Sequence, residues 1–376
     1  MKVVNTRKVN DRIIQYMSRE QLNSLLGMSL SAPVSMDEII FEEPAKLESY
    51  AASFRASMKQ DNVDYTEEQS LIASMIMSVL DETTGDIQQI PAVILDEIIR
   101  NGHIFRRGEL ESNPYFANIH FENQKQGRFE LGTASLKKYE LFMYNVPVNR
   151  FQGVMIPSIG ACDHRFRFPY MKEGHKAWMS ITPNEIFTME NSIKEAFGNV
   201  LTLGCGMGYF AYMVSEKDDV SHVTIVEKEQ DVIDLFTNFI LPQFAHKDKI
   251  TIIKADAFDY MEQLKDGKYD FCFADIWTGH NDTVPYLKLK KLCKRFQQMK
   301  LSYWIEDALI AIGFVYMIIL EEFYKNQNMD VPQVPELPDE ERYKLDFLKE
   351  LLKDAEISRA EHVDYYLDYK NIINLM

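Results

Sequence analysis

The sequence predicts an α/β fold: a parallel sheet with helices on both faces, preceded by a helical segment and a small antiparallel β module, and followed by C-terminal helices. Three observations predict it. Short apolar, β-branched runs alternate with helical patterns between Val200 and Ile305, as a chain of βαβ units requires. The first of these runs passes straight into three alternate glycines, Gly204, Gly206 and Gly208, and then into an apolar helical stretch. Acids stand where the next three runs end, at Glu227, Asp256 and Asp275.

Residues 1–110 carry apolar side chains at helical spacing, as in Arg12–Met17 and Glu68–Leu80. Thr66-Glu-Glu begins the second of these with a capping residue and early acids. Residues 111–175 change texture. Tyr115–Phe121, Arg128–Gly132, Tyr139–Tyr144 and Gly153–Ile156 are short, aromatic and β-branched, with turn residues between them. They predict the antiparallel module. The main domain follows over 176–325, where Thr182-Pro-Asn-Glu185 reads as a capping box with proline at the first helical position. Its strands are Val200–Leu203, His222–Val226, Ile250–Ile253, Tyr269–Ala274 and Leu301–Ile305. The helices between them are Tyr209–Val214, Gln230–Ile240, Asp259–Lys265 and Val284–Phe296. Residues 326–376 hold a Pro-rich break, Val331–Pro338, and a charged amphipathic helix pair at 339–370.

With 376 residues the chain is long enough for two or three domains. Its formal charge of −16 opposes a nucleic-acid backbone, so DNA and RNA are poor partners. Lys288–Arg295 is the one basic stretch, and it reads as a solvated helix face. The four cysteines are scattered with no Cys-x-x-Cys spacing, which points to a reducing compartment. The N-terminus has no apolar signal core, and the longest apolar run, Ala308–Leu320, is 13 residues, too short to span a bilayer. A cytoplasmic protein is expected, away from membranes, with oligomers allowed and a small molecule as acceptor.

The glycine loop puts backbone without Cβ atoms at the carboxyl edge of the sheet, where open α/β sheets bind nucleosides. A dinucleotide fingerprint would need its third glycine at Tyr209, so the spacing favours another adenosine-bearing ligand. Each acid then suits one part of it. Glu227 can accept both ribose hydroxyls, Asp256 the adenine amino group, and Asp275 faces the reacting centre beside the ammonium of a methionine-like tail.

These segments resemble the class I S-adenosylmethionine-dependent methyltransferases, a Rossmann-like family, over about residues 178–325. The resemblance implies S-adenosyl-L-methionine as cofactor, held by Gly204, Cys205, Gly206, Gly208, Glu227, Lys228, Asp256, Ala257 and Asp275. It places Trp178–Glu185, Thr182 included, over the methionine end. Two features depart from the family pattern: Thr202 stands where an acid is usual, and the antiparallel strand pair that normally ends the sheet is not found. Methyl transfer to the O or N of a small molecule is then expected, with Asp275 orienting the nucleophile, His280 as general base and Trp277 walling the site. The Asn/Asp-Pro-Pro-Tyr and Pro-Cys signatures of nucleic-acid methylation are absent.

Four other readings are weighed, of which the zinc one is set aside. Asp275-Ile-Trp with Glu306-Asp307 resembles the magnesium site of catechol-type O-methyltransferases. Cys162-Asp-His164 with His175 lacks a fourth ligand at zinc spacing. An aminopropyltransferase of the spermidine synthase type would have the same sheet, and Val223–Ile233 resembles its second-strand region. The chain nevertheless lacks that family's Gly-Gly-Gly-Asp-Gly loop and its Tyr-His-Glu gate. A non-catalytic domain that binds the cofactor as a scaffold completes the alternatives.

Overall fold

The computed structural model describes residues 1–31, 44–84, 90–151, 154–277, 279, 282–309, 312–331 and 337–376. A short strand, β1 (Lys2–Val3), leads into four helices: α1 (Arg7–Ser31), α2 (Pro44–Gln60), α3 (Glu67–Thr84) and α4 (Ala92–Asn101). The expected cap of α3 is present in reciprocal form. Gln69 N donates to Thr66 Oγ1 at 3.1 Å and Thr66 N to Gln69 Oε1 at 3.0 Å, which satisfies two amides that a helix start leaves unpaired.

The β region follows as β2 (His103–Phe105), α5 (Pro114–Asn118), β3 (Gln124–Gln126), β4 (Phe129–Leu136), β5 (Phe142–Phe151), β6 (Val154–Cys162), β7 (Phe166–Glu173) and β8 (Lys176–Ser180). It differs from the expected single module. Strands β3-β4-β7-β8 form one antiparallel sheet, while β2-β6-β5 form a second in which β2 and β6 run parallel. The run at 115–121, expected as a strand, instead contains α5. Asn113 accepts from Tyr115 N at 3.0 Å and Pro114 opens the helix, so a local cap overrides aromatic strand propensity.

The main unit runs α6 (Pro183–Glu195), β9 (Gly198–Leu203), α7 (Tyr209–Ser215), β10 (Val220–Glu227), α8 (Gln230–Leu235), β11 (Ile250–Lys254), α9 (Ala257–Gln263), β12 (Phe271–Ala274), α10 (Thr283–Cys293) and β13 (Lys300–Tyr303). All five strands are parallel, in the order β11-β10-β9-β12-β13. This is the predicted Rossmann-like sheet. The order reverses between β9 and β12, which opens a crevice beyond their carboxyl ends. Leu203 sits level with Val226 on one side and Ala274 on the other, so the glycine loop, Glu227 and Asp275 leave the sheet at one edge.

Alternation along the strands divides the core in two. Leu201, Leu203, Val226, Cys272 and Ala274 face one layer; Val200, Val223, Ile225, Phe271 and Phe273 face the other. The second layer packs against the β region through Tyr115, Phe129 and Phe166. The first packs against α10 and the closing helices α11 (Glu306–Leu309), α12 (Ile312–Asn326), α13 (Asp339–Leu351), α14 (Ala360–Tyr366) and α15 (Tyr369–Leu375). Val9, Ile13 and Tyr16 of α1 join this first layer, and β1 pairs in parallel with β14 (Glu356–Ile357). Helices α2 to α4 form a third core with β2 and β6. Beyond β13 none of the described residues adds a strand to the main sheet. Part of the Pro-rich break, 332–336, lies outside the described residues. Among the described residues no helix is long and apolar enough to cross a membrane.

Candidate active site

The three loop glycines all have left-handed backbones, with φ of +96° at Gly204, +50° at Gly206 and +76° at Gly208. Only glycine adopts this region without strain. A Cβ on Gly204 would lie 2.2 Å from the Asp275 carbonyl oxygen, so the loop and the end of β12 touch backbone to backbone. Thr202, in the position where an acid was expected, is buried and donates from Oγ1 to the Gly204 carbonyl at 3.2 Å. A hydroxyl two residues upstream thus braces the loop internally.

Glu227 does the bracing from the neighbouring strand. Its Oε2 accepts from Cys205 N at 3.0 Å and its Oε1 from Glu229 N at 2.9 Å. Each oxygen keeps a second lone pair, which suits it to a pair of ribose hydroxyls. Asp256 caps α9, with Oδ1 accepting from Phe258 N at 2.8 Å and Asp259 N at 3.4 Å. It lines the same cavity beside Val226, Ala255, Ala257, Phe258 and Ile276, an apolar wall suited to an adenine ring.

The cavity at this sheet edge has a volume of about 420 Å³, enough for a nucleoside with a short tail. At its far end, beyond β12, Glu185 stands against Asp275; Asp282 also lines the cavity, with its charge acting on Lys344. Glu185 is the capping-box acid of α6. Its Oε2 accepts from Thr182 N at 2.7 Å and from the Thr182 hydroxyl. Burial pushes the Glu185 carboxyl above its ordinary value against the lowering effect of those bonds. Asp275 is pushed up to about 8, by burial first and by the Glu185 charge second. Among the described residues no bonded donor or cation relieves it, and Lys228, beside Glu227, is the one cation lining the cavity.

The structure brings Gly204, Cys205, Gly206, Gly208, Glu227, Lys228, Asp256, Ala257 and Asp275 into this one cavity. Thr182 is not among the lining residues; its N–H and hydroxyl turn to Glu185. His280, the expected general base, lies outside the described residues. Trp277 is 5% exposed and packs edge-on to Tyr286 and stacked with Tyr303, walling the cavity from beneath. Sequence reasoning missed Met189, Asp282, Pro285 and Trp304 as lining residues. It also read Glu185 as a helix cap without seeing that it faces Asp275, a pairing across 90 positions that no local pattern signals.

Among the described residues the magnesium arrangement is not assembled; the Asp307 side chain lies outside them. Glu306 Oε1 accepts from Tyr286 Oη at 2.8 Å and Lys290 Nζ at 2.5 Å, and Glu306 does not line the cavity. Its lone pairs and charge are already matched within the protein. His164 lies between Asp163 and Glu111, with its ring nitrogens 2.7 and 2.5 Å from their oxygens. Among the described residues no group of three His, Cys, Asp or Glu side chains is placed to hold a metal ion.

Residues 184–288 match the spermine/spermidine synthase domain. No curated protein matches the chain. Among solved structures, spermidine synthase from Thermotoga maritima is similar at 17% identity and a TM-score of 0.29, over 42% of this chain and 60% of that one. A spermidine synthase in complex with the transition-state analogue AdoDATO shows 15% identity and a TM-score of 0.28, over 42% and 59%. The Trypanosoma brucei PRMT1 enzyme-prozyme complex with AdoHcy shows 17% identity and a TM-score of 0.25, over 32% and 37%. This chain thus spans about 60% of the length of either spermidine synthase. The TM-scores are low, so the site chemistry rests on this chain's own residues and on the matched domain. That match, over less than a third of the chain, favours the aminopropyltransferase alternative over methyl transfer. The loop Gly204-Cys-Gly-Met-Gly208 had pointed the other way because it lacks that family's usual glycine pattern.

Proposed function

We propose that this protein transfers an aminopropyl group from decarboxylated S-adenosylmethionine to an amine. The observation that carries this reading is the charge of the cavity's far end. Glu185 and Asp275 face each other there, and among the described residues that line the cavity the one cation, Lys228, follows the ribose-binding acid instead. A donor with an intact carboxylate would bring a third acid to an end where burial and mutual repulsion already disfavour ionising two. A donor that has lost its carboxylate presents only an ammonium, and an amine acceptor adds further positive charge that the same acids compensate.

The reaction is an in-line displacement at the carbon next to the sulfonium. A C–N bond forms, the C–S bond breaks, and its electron pair returns to sulfur, leaving neutral 5′-methylthioadenosine. The attacking amine must first shed a proton. Asp275, held near pKa 8, stays close enough to an alkylammonium to take that proton at mildly alkaline pH and is oriented by the β12 end that abuts Gly204. Glu185 holds the donor's ammonium, and the glycine loop with Glu227 holds the nucleoside, so donor and nucleophile meet already aligned.

Calorimetry with the two donors tests this. Decarboxylated S-adenosylmethionine is expected to bind at least tenfold more tightly than S-adenosylmethionine. With an aliphatic diamine, it should then yield 5′-methylthioadenosine. Preference for the intact donor, with methylated product, would return the site to methyl transfer.

A further inference from the structure

The glycine loop is braced on a third side, from outside the sheet. Tyr115, fully buried at the start of α5, donates from its hydroxyl to the Met207 carbonyl at 2.5 Å. Its ring packs edge-on to Tyr209 and Tyr212, with centroids 5.3 and 5.5 Å away. Next to it, Asn113 Nδ2 donates to Tyr209 Oη at 2.9 Å, and one turn further Asn118 Nδ2 donates to Tyr212 Oη at 2.9 Å. Met207 and Tyr209 line the nucleoside cavity; Tyr212 does not.

A loop with three left-handed glycines has little intrinsic preference for one shape. Its conformation is set by whatever fixes its polar groups. Glu227 fixes the Cys205 amide, Thr202 the Gly204 carbonyl, and Tyr115 the Met207 carbonyl. Met207 is fully buried, so loss of the phenol would strand a carbonyl away from water, and a stranded buried group drives local rearrangement.

We propose that Tyr115 is a positioning residue for the nucleoside site, acting from the β region through the Met207 carbonyl, with Asn113 as its weaker partner. This rests on the nucleoside reading of the cavity and is independent of which group is transferred.

The test is calorimetric binding of 5′-methylthioadenosine and S-adenosylhomocysteine to the full chain and three variants. Tyr115→Phe is expected to weaken both nucleosides roughly tenfold, about one hydrogen bond's worth, while diamine binding is unchanged. Asn113→Ser keeps an oxygen to cap α5 but gives up the amide donor, and is expected to weaken them about threefold. Asn118→Ala removes a bond of the same kind to a tyrosine outside the cavity, and is expected to leave both affinities within about twofold even as its Tm falls. Equal binding by Tyr115→Phe and the parent would overturn the proposal alone. So would an equal loss in Asn118→Ala, which would mark the effect as general loosening. If Tyr115→Phe does not fold, the Asn113→Ser and Asn118→Ala pair decides. No binding of either nucleoside by the parent would remove the nucleoside reading, and this proposal with it.

Discussion

The two ends of the cavity are built on opposite principles. At the nucleoside end the acids and the loop are already bonded within the protein: Glu227 to two amides, Asp256 to two amides, and the loop carbonyls to Thr202 and, from outside the cavity, Tyr115. At the far end Asp275 is held by burial and like charge, with its carboxyl left near pKa 8. The first end is arranged to recognise without moving. The second keeps two buried acids against each other, and under the proposed function that difference separates binding from chemistry.

The most severe way to break the contrast is Asp275→Asn. Product formation should fall about a thousandfold, in the range for loss of a general base, while 5′-methylthioadenosine still binds within about threefold. The same variant reports on stability. The folded pKa of Asp275 lies above its unfolded value, so its contribution is most favourable below about pH 4 and is lost as pH rises toward 8. Thermal melts should therefore show the unliganded variant above the parent at pH 8, with the gap closing near pH 4. Equal melts at both values would mean that Asp275 is not strained.

Glu227→Ala attacks the other end. Nucleoside affinity should drop about thirtyfold, because two amides and both ribose hydroxyls lose their acceptor, with diamine binding retained. If diamine binding fell in parallel, the two ends would not be separable. A third effect sharpens the comparison by pH alone. A cationic amine favours the Asp275 carboxylate, so its affinity should climb from pH 6 to about 8, by at most tenfold per unit, and level off above. The neutral 5′-methylthioadenosine should be flat across the same titration. The smallest effect is expected for Gly206→Ala. Its φ is +50° and the new Cβ would meet the Met179 thioether at 2.6 Å, the flexible end of a side chain. About 1 kcal/mol of backbone strain should remain, read as a Tm lower by a few degrees with only a small change in nucleoside affinity.

The nucleoside end was legible in the sequence because strand, loop and acid are local signals: each of Gly204, Glu227 and Asp256 follows its own strand or precedes its own helix. The far end was legible only in part. Asp275 closes a strand, but its neighbour Glu185 announced a helix cap, and a capping box says nothing of what the carboxylate faces. Tyr115 was misread because aromatic texture outweighed Asn113-Pro114, a start signal in plain view. Strands β7 and β8 escaped because Pro169 and the Gly174 turn interrupt the alternation that would have marked them. The place of α1 in the sheet's own core had no sequence signal at all, since helical spacing shows which face is apolar and not which core it meets.

That last feature bears on how the chain becomes folded. The amine of Met1 donates to the Lys353 carbonyl at 3.1 Å, 352 positions away, and β1 is completed only by β14. Closing so long a span costs entropy that local contacts do not return early, and high contact order slows the final step. During synthesis, Val9, Ile13 and Tyr16 emerge well before the C-terminal helices that complete their packing surface. Until residue 357 has left the ribosome, those side chains stay exposed beside a half-built sheet, a lasting opportunity for mispairing that a chaperone is suited to cover.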